Sequence, residues 1–210
     1  MSEKDELRHY HVGKTGGGYL RDVYQYNQFD VNIKHKYTRP FDTYTMKLIL
    51  VLRDPVDRFV SCVNWLYTRQ EIHDSDYTFK KYQIRPEEQV AINKKYSHIN
   101  EIVNDLYESW IYVKHVYDTC YYRMLHEDIE CITRENIFCL LDFNNLTNDM
   151  VGKLKLKLPV KSRRSHVSEK LYHVEELSDN SLDILHDFYR KDYEIINRLQ
   201  SLSEEHIINI

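Results

Sequence analysis

With 210 residues, 42% hydrophobic and 13% aromatic, the chain is long enough for one well-cored domain and short for two, so a single globular domain over residues 1–210 is expected. The formal net charge of -4 gives no overall attraction to nucleic acid or to an anionic membrane, so any polyanion site must be a local patch. MSEKDELRHY is too polar for a signal peptide, no apolar run reaches the roughly 18 residues of a membrane span, and Cys62, Cys120, Cys131 and Cys139 form no CxxC pair, so a soluble, cytoplasmic chain with reduced thiols and no zinc is expected.

Arg8 to Val12 is a short extended stretch that runs into HVGKTGGGYL, residues 11–20, where a Lys-Thr pair precedes three consecutive glycines. With only 5 Gly and 4 Pro in the chain, this clustering concentrates backbone freedom in one place and calls for a local cause. Tyr19 to Tyr26 then suits a helix, with Leu20, Val23 and Tyr24 at helical spacing. Lys47 to Leu52, KLILVL, is a continuous apolar run rich in β-formers, the pattern of a strand buried on both faces of a parallel sheet. It too feeds a helix, with Asp54 placed as N-cap, Pro55 at the first helical position and Asp57 in the first turn. Phe59, Val60, Val63 and Leu66 continue its apolar face.

From Tyr67 to Tyr96 the sequence turns polar and charged, with Pro86 breaking it, which suggests a surface excursion able to act as a lid or acceptor-binding segment. Ile99, Ile102, Val103, Leu106, Trp110, Val113 and Tyr117 predict a long amphipathic helix over 98–119. NIFCLLDF, 136–143, supplies another inner strand, and Leu182, Leu185, Phe188, Ile195, Ile196 and Leu199 mark a C-terminal helix. Strands alternating with helices predict a three-layer α/β domain, a central parallel sheet flanked by helices.

In an open α/β sheet, ligands bind beyond the carboxyl ends of the strands, where helix N-termini aim backbone N–H groups outward. Gly16, Gly17 and Gly18 would let the backbone wrap around an anion, Lys14 would add a point charge and the following helix its dipole. That is a phosphate or sulfate site; a plain glycine turn with an exposed lysine is the bland alternative. Gly13-Lys14-Thr15 matches the end of the Walker pattern G-x-x-x-x-G-K-[ST], but Arg8 stands where the first glycine belongs and the glycines follow the lysine. A Mg-ATP-dependent kinase is therefore the runner-up.

HVGKTGG resembles the H-[IV]-P-K-T-G-G-[TS] 5′-phosphosulfate loop of the membrane-type and carbohydrate sulfotransferases, and LILVLRDPVDRFVSCV resembles their 3′-phosphate motif R-D-P-x-x-R-x-x-S. The resemblance implies a P-loop-like sulfotransferase fold using 3′-phosphoadenosine 5′-phosphosulfate (PAPS) as donor, with adenosine 3′,5′-bisphosphate (PAP) as product. It implies that Lys14 contacts the bridging oxygen, that Thr15, Gly16, Gly17, Gly18 and Tyr19 surround the 5′-phosphosulfate through backbone N–H groups, and that Arg53 and Ser61 hold the 3′-phosphate. The chain departs from the motif at Gly13, in place of Pro, and at Gly18, in place of Thr or Ser, which leaves those contacts to the backbone. A sulfuryl group carries less charge than a phosphoryl group, so no metal is expected.

A base must still take the acceptor's proton, and His35, after the first helix and before the strand to Arg53, is the choice for it. A solvated histidine between Lys34 and Lys36 is the competing reading, with Asp30, Asp42 and Glu71 as alternative bases. His11 matches the family pattern but suits a structural place under the loop, and Arg58 is read as structural. KSRRSHVSEK, 161–170, is the one local basic stretch; Arg163, Ser165 or Ser168 could touch the 3′-phosphate, although a solvated loop explains it as well. The expected acceptor is a hydroxyl, first of all on a saccharide. A catalytically silent nucleotide-binding protein of the same fold is the third possibility.

Overall fold

A computed structural model of the chain describes residues 6–34, 46–68, 95–107, 120–125, 129–159 and 171–204. They form two compact units, the first drawn from 1–53, 119–166 and 191–210, the second from 54–118 and 167–190. The strands are β1 (Glu6–Tyr10), β2 (Asn32–Lys34), β3 (Met46–Leu52) and β4 (Ile137–Asp142). The helices are α1 (Gly17–Tyr26), α2 (Pro55–Thr68), α3 (Ile99–Asn104), α4 (Tyr121–Leu125), α5 (Leu146–Gly152), α6 (Asp179–Phe188) and α7 (Arg190–Glu204).

The first unit is built on a parallel sheet of order β2-β1-β3-β4. The apolar run in β3 is explained by alternation, because successive strand side chains face opposite ways. Met46, Leu48 and Leu50 join Tyr10, Val12, residues of α4 and Ile195, Ile196 and Leu199 of α7 in one core layer. Ile49 and Val51 join Leu20, Val23 and Tyr24 of α1 and Leu146 and Met150 of α5 in the other. Leu48, Ile49 and Leu50 are completely buried, each contributing about 1.5–3 kcal/mol of hydrophobic stabilisation. Helices thus flank both faces of the sheet.

Polar side chains fix the junctions. The Asp192 carboxylate on α7 accepts the N–H groups of Tyr121 (3.2 Å) and Tyr122 (2.8 Å), capping α4. The Asn136 amide donates to Met46 O at 3.2 Å while its oxygen accepts Thr133 N–H at 2.9 Å, which sets the entry to β4.

In the second unit α6 packs against α2 and α3. Asn100 on α3 donates to Glu176 O and accepts Ser178 N–H, both at 2.9 Å, and Ser178 caps α6 through Ser181 N–H. Arg58 is fully buried, its guanidinium 5.1 Å from the Tyr189 ring centroid.

Several boundaries differ from the sequence expectation, each for a local reason. β1 runs over Glu6–Tyr10 instead of 8–12, because its pairing with β3 ends at Tyr10↔Leu50 and the chain then leaves the sheet. The helix expected from Tyr19 starts at Gly17, since a left-handed Gly16 turns the chain two residues earlier. β2 was not anticipated; its three residues, NIK, are too short for a periodic signal. The helix expected over 98–119 ends at Asn104, followed by a turn through Tyr107, and 108–119 lie outside the described residues. The single C-terminal helix is two, interrupted at Tyr189 (φ -95°, ψ 12°). Nearly all of the 67–96 excursion, and all of 161–170, also lie outside the described residues.

Candidate functional site

The glycine loop leaves β1 at its carboxyl end, on a sheet flanked by helices, where the topology directs a following helix N-terminus outward. Thr15 is buried, and its hydroxyl donates to Val12 O at 2.6 Å, closing the loop on itself. Lys14 and Gly16 both have left-handed backbones, φ 65° and 79°. For glycine this conformation carries no side-chain penalty; for lysine it does, and the surroundings must enforce it. Gly16 is the N-cap of α1 and its carbonyl accepts Leu20 N–H at 3.0 Å. Gly17, Gly18 and Tyr19 therefore form the first turn, and their N–H groups have no acceptor within the helix. No side chain caps α1 and no acid stands in its first turn.

Two of the glycines are dictated by contact, and Gly16 by its left-handed backbone as well. A Cβ on Gly16 would lie 3.0 Å from Leu146 Cδ2 and 3.6 Å from Phe143 Cε2. A Cβ on Gly17 would overlap the His11 imidazole, so His11 lies directly under the loop. Behind it His9 is fully buried, edge-on to His11 (6.0 Å between ring centroids) and to Tyr24 (5.7 Å). Burial holds the Tyr24 phenol well above its ordinary range, with the Cys139 charge adding to the effect. Burial also pushes the Cys139 thiol up to about 11, Lys153 working in the opposite direction.

Arg53 meets the loop from β3. Its backbone N–H donates to Tyr121 Oη at 2.9 Å, and the Tyr121 hydroxyl donates to Val51 O at 2.7 Å. Its Nη1 donates to Lys14 O at 2.6 Å, and its guanidinium carbon lies 4.0 Å from the centroid of the Phe143 ring. The first unit thus brings together Lys14, Thr15, Gly16, Gly17, Gly18, Tyr19 and Arg53. Lys14 and the three glycines are half-buried, and Tyr19 packs partly buried on the core layer that includes Leu20 and Val51.

Ser61 is half-buried in the second turn of α2, in the second unit. His35, Asp42 and Glu71 lie outside the described residues, while Asp30 is exposed beyond α1. Among the described residues no three His, Cys, Asp or Glu side chains are grouped to hold a metal ion. No helix among them is long and apolar enough to cross a membrane.

Sequence reasoning missed Phe143 and Tyr121, which hold Arg53 from its two ends. Phe143 carried a usable signal, since it follows an apolar strand at the end where ligands bind. Tyr121 carried none, being one of 18 tyrosines. Comparison with known proteins returns nothing: no protein-family model, no curated protein and no solved structure matches the chain. The functional reading rests on the residues of the loop and the two strand ends.

Proposed function

We propose that the chain is a PAPS-dependent sulfotransferase of P-loop-like fold that transfers a sulfuryl group to a hydroxyl, first of all on a carbohydrate. The carrying observation is the first turn of α1: three leading amides without a side-chain cap, no acidic residue in that turn, and Lys14 in the preceding loop. A helix N-terminus of this kind attracts an anion through aligned N–H groups and the helix dipole. Left-handed residues at Lys14 and Gly16 turn successive amides through the loop, the backbone pattern of anion-binding concavities.

Lys14 stabilises negative charge developing on the leaving phosphate as the bond between sulfur and the bridging oxygen breaks. Thr15 to Tyr19 hold the 5′-phosphosulfate through backbone N–H groups, and Arg53 takes the 3′-phosphate. The acceptor oxygen forms the new bond to sulfur on the opposite side, and its proton passes to a base, for which His35 is proposed. Thr15 speaks against the kinase reading. A Walker threonine places its hydroxyl on Mg²⁺, whereas the Thr15 side chain is buried and donates to Val12 O.

Saccharides, tyrosine peptides and hydroxylated lipids are incubated with PAPS and analysed by mass spectrometry. A sulfated saccharide that is absent with the Lys14→Ala variant supports the proposal. No product on any acceptor, from protein that binds PAP, makes the chain a silent binding protein.

A further inference from the structure

One aromatic ring lies beside Gly16 and under the arginine that bonds Lys14. The Phe143 ring lies 3.6 and 3.9 Å (Cε2 and Cδ2) from the position a Cβ would take on left-handed Gly16. It also lies under the Arg53 guanidinium, 4.0 Å from the ring centroid, and Arg53 Nη1 donates to the carbonyl of left-handed Lys14 at 2.6 Å. Arg53 is itself fixed at its root by the 2.9 Å bond from its N–H to Tyr121 Oη. We infer that Phe143 and Arg53 form a clamp that holds the loop in its left-handed conformation, which makes Phe143 a positioning residue for the anion site.

A non-glycine residue at φ 65° persists only where its surroundings over-determine it. The bond to Lys14 O does this, because swinging Lys14 to a right-handed conformation turns its carbonyl away from Nη1. The same bond sets an amide. In a planar trans peptide the C=O and the following N–H point in opposite directions, so drawing Lys14 O onto Arg53 turns the Thr15 N–H away from Arg53. Phe143 acts one step further back. A guanidinium held over a ring is attracted to its π face and loses less freedom on binding a carbonyl, so the ring keeps Nη1 aimed. Phe143 starts directly from the end of β4, and β4 pairs with the strand that carries Arg53, so the clamp is anchored on the sheet.

The test begins with ligand-free protein, so it does not depend on the identity of the donor. Hydrogen exchange is followed in the wild type, Phe143→Leu, which keeps apolar bulk against Gly16 but removes the ring face, and Phe143→Tyr, which restores it. The Leu20 amide, which closes the loop by donating to Gly16 O at 3.0 Å, is expected to exchange roughly 5- to 10-fold faster in Phe143→Leu, with Leu48 to Val51 unchanged and Phe143→Tyr restored to the wild-type rate. Unchanged Leu20 exchange in Phe143→Leu, equal acceleration at Leu20 and in β3, or failure of Phe143→Tyr to restore protection would overturn the clamp. A second arm rests on the proposed function: PAP should bind Phe143→Leu more weakly by a similar factor, measured by calorimetry. Wild-type protein that binds no PAP would sink the donor reading, while the exchange rates still decide the clamp.

Discussion

Two helices begin with opposite first turns, α1 in the first unit and α2 in the second. In α2 the Asp54 carboxylate accepts Asp57 N–H at 2.9 Å, Pro55 brings no N–H to the first position, and Asp57 adds a second negative charge. In α1 the cap is a bare glycine, the first turn holds no acid, and the nearest charge in the loop is Lys14. A helix N-terminus is equivalent to roughly half a positive charge, which favours an anion there. The chain gives α2 its anion covalently, as its own aspartates. It gives α1 none and places a cation near it, the arrangement that suits an anion arriving from solution. The difference is the strongest physical reason to treat the glycine loop as a site and not as a turn.

The contrast can be broken hardest at Lys14. Lys14→Ala should lower sulfuryl-transfer turnover by about 10²–10³-fold, the size of effect seen when one preorganised charge-stabilising group is lost. Steady-state kinetics with saturating PAPS reads it, and an unchanged kcat would remove Lys14 from the reacting oxygen. Next in size is Gly17→Ala, whose new Cβ overlaps the His11 ring. Overpacking of this kind costs about 1–3 kcal/mol in urea unfolding, and combining it with His11→Ala should recover part of the loss, because the two sites touch.

On the other helix, Asp54→Ala should cost about 1 kcal/mol of unfolding free energy, and Asp54→Asn much less, since asparagine caps as well as aspartate. A result the other way round would mean that charge, and not the cap bond to Asp57 N–H, is what α2 uses at Asp54. The smallest effect shows only in alkali. Tyr24 anchors α1 on the sheet, and burial raises its phenol above the ordinary value. The unfolded phenol ionises first, so the stability is complete below about pH 10 and is lost as pH climbs past it. Tyr24→Phe should flatten that alkaline decline in a series of urea titrations, and an unchanged slope would show that Tyr24 is not its source.

Strands β3 and β4 and the start of α2 were legible in the sequence, and the start of α1 to within two residues, because local signals agreed there: an apolar run, an N-cap aspartate, proline at the first helical position, a glycine cluster. Where a long-range contact decides, the sequence was silent. β2 exists through its pairing with β1, as Arg8↔Asn32 to Tyr10↔Lys34, and NIK carries no pattern of its own. The split between α6 and α7 falls at Tyr189, an ordinary residue in an otherwise helical pattern. The two strand-end motifs were visible as motifs. The bond from Arg53 to Lys14 O was not, because it joins side chain and backbone across 39 residues, and neither was the place of Phe143 beneath it.

The role of the glycine loop turns on what the first turn of α1 binds. Isothermal titration calorimetry of the wild-type protein with PAP, and separately with ATP plus Mg²⁺, asks this directly. The expected result is tight binding of the bisphosphate that is unaffected by chelator and lost in Lys14→Ala, with weak or no binding of Mg-ATP. Binding of Mg-ATP without binding of the bisphosphate would contradict it.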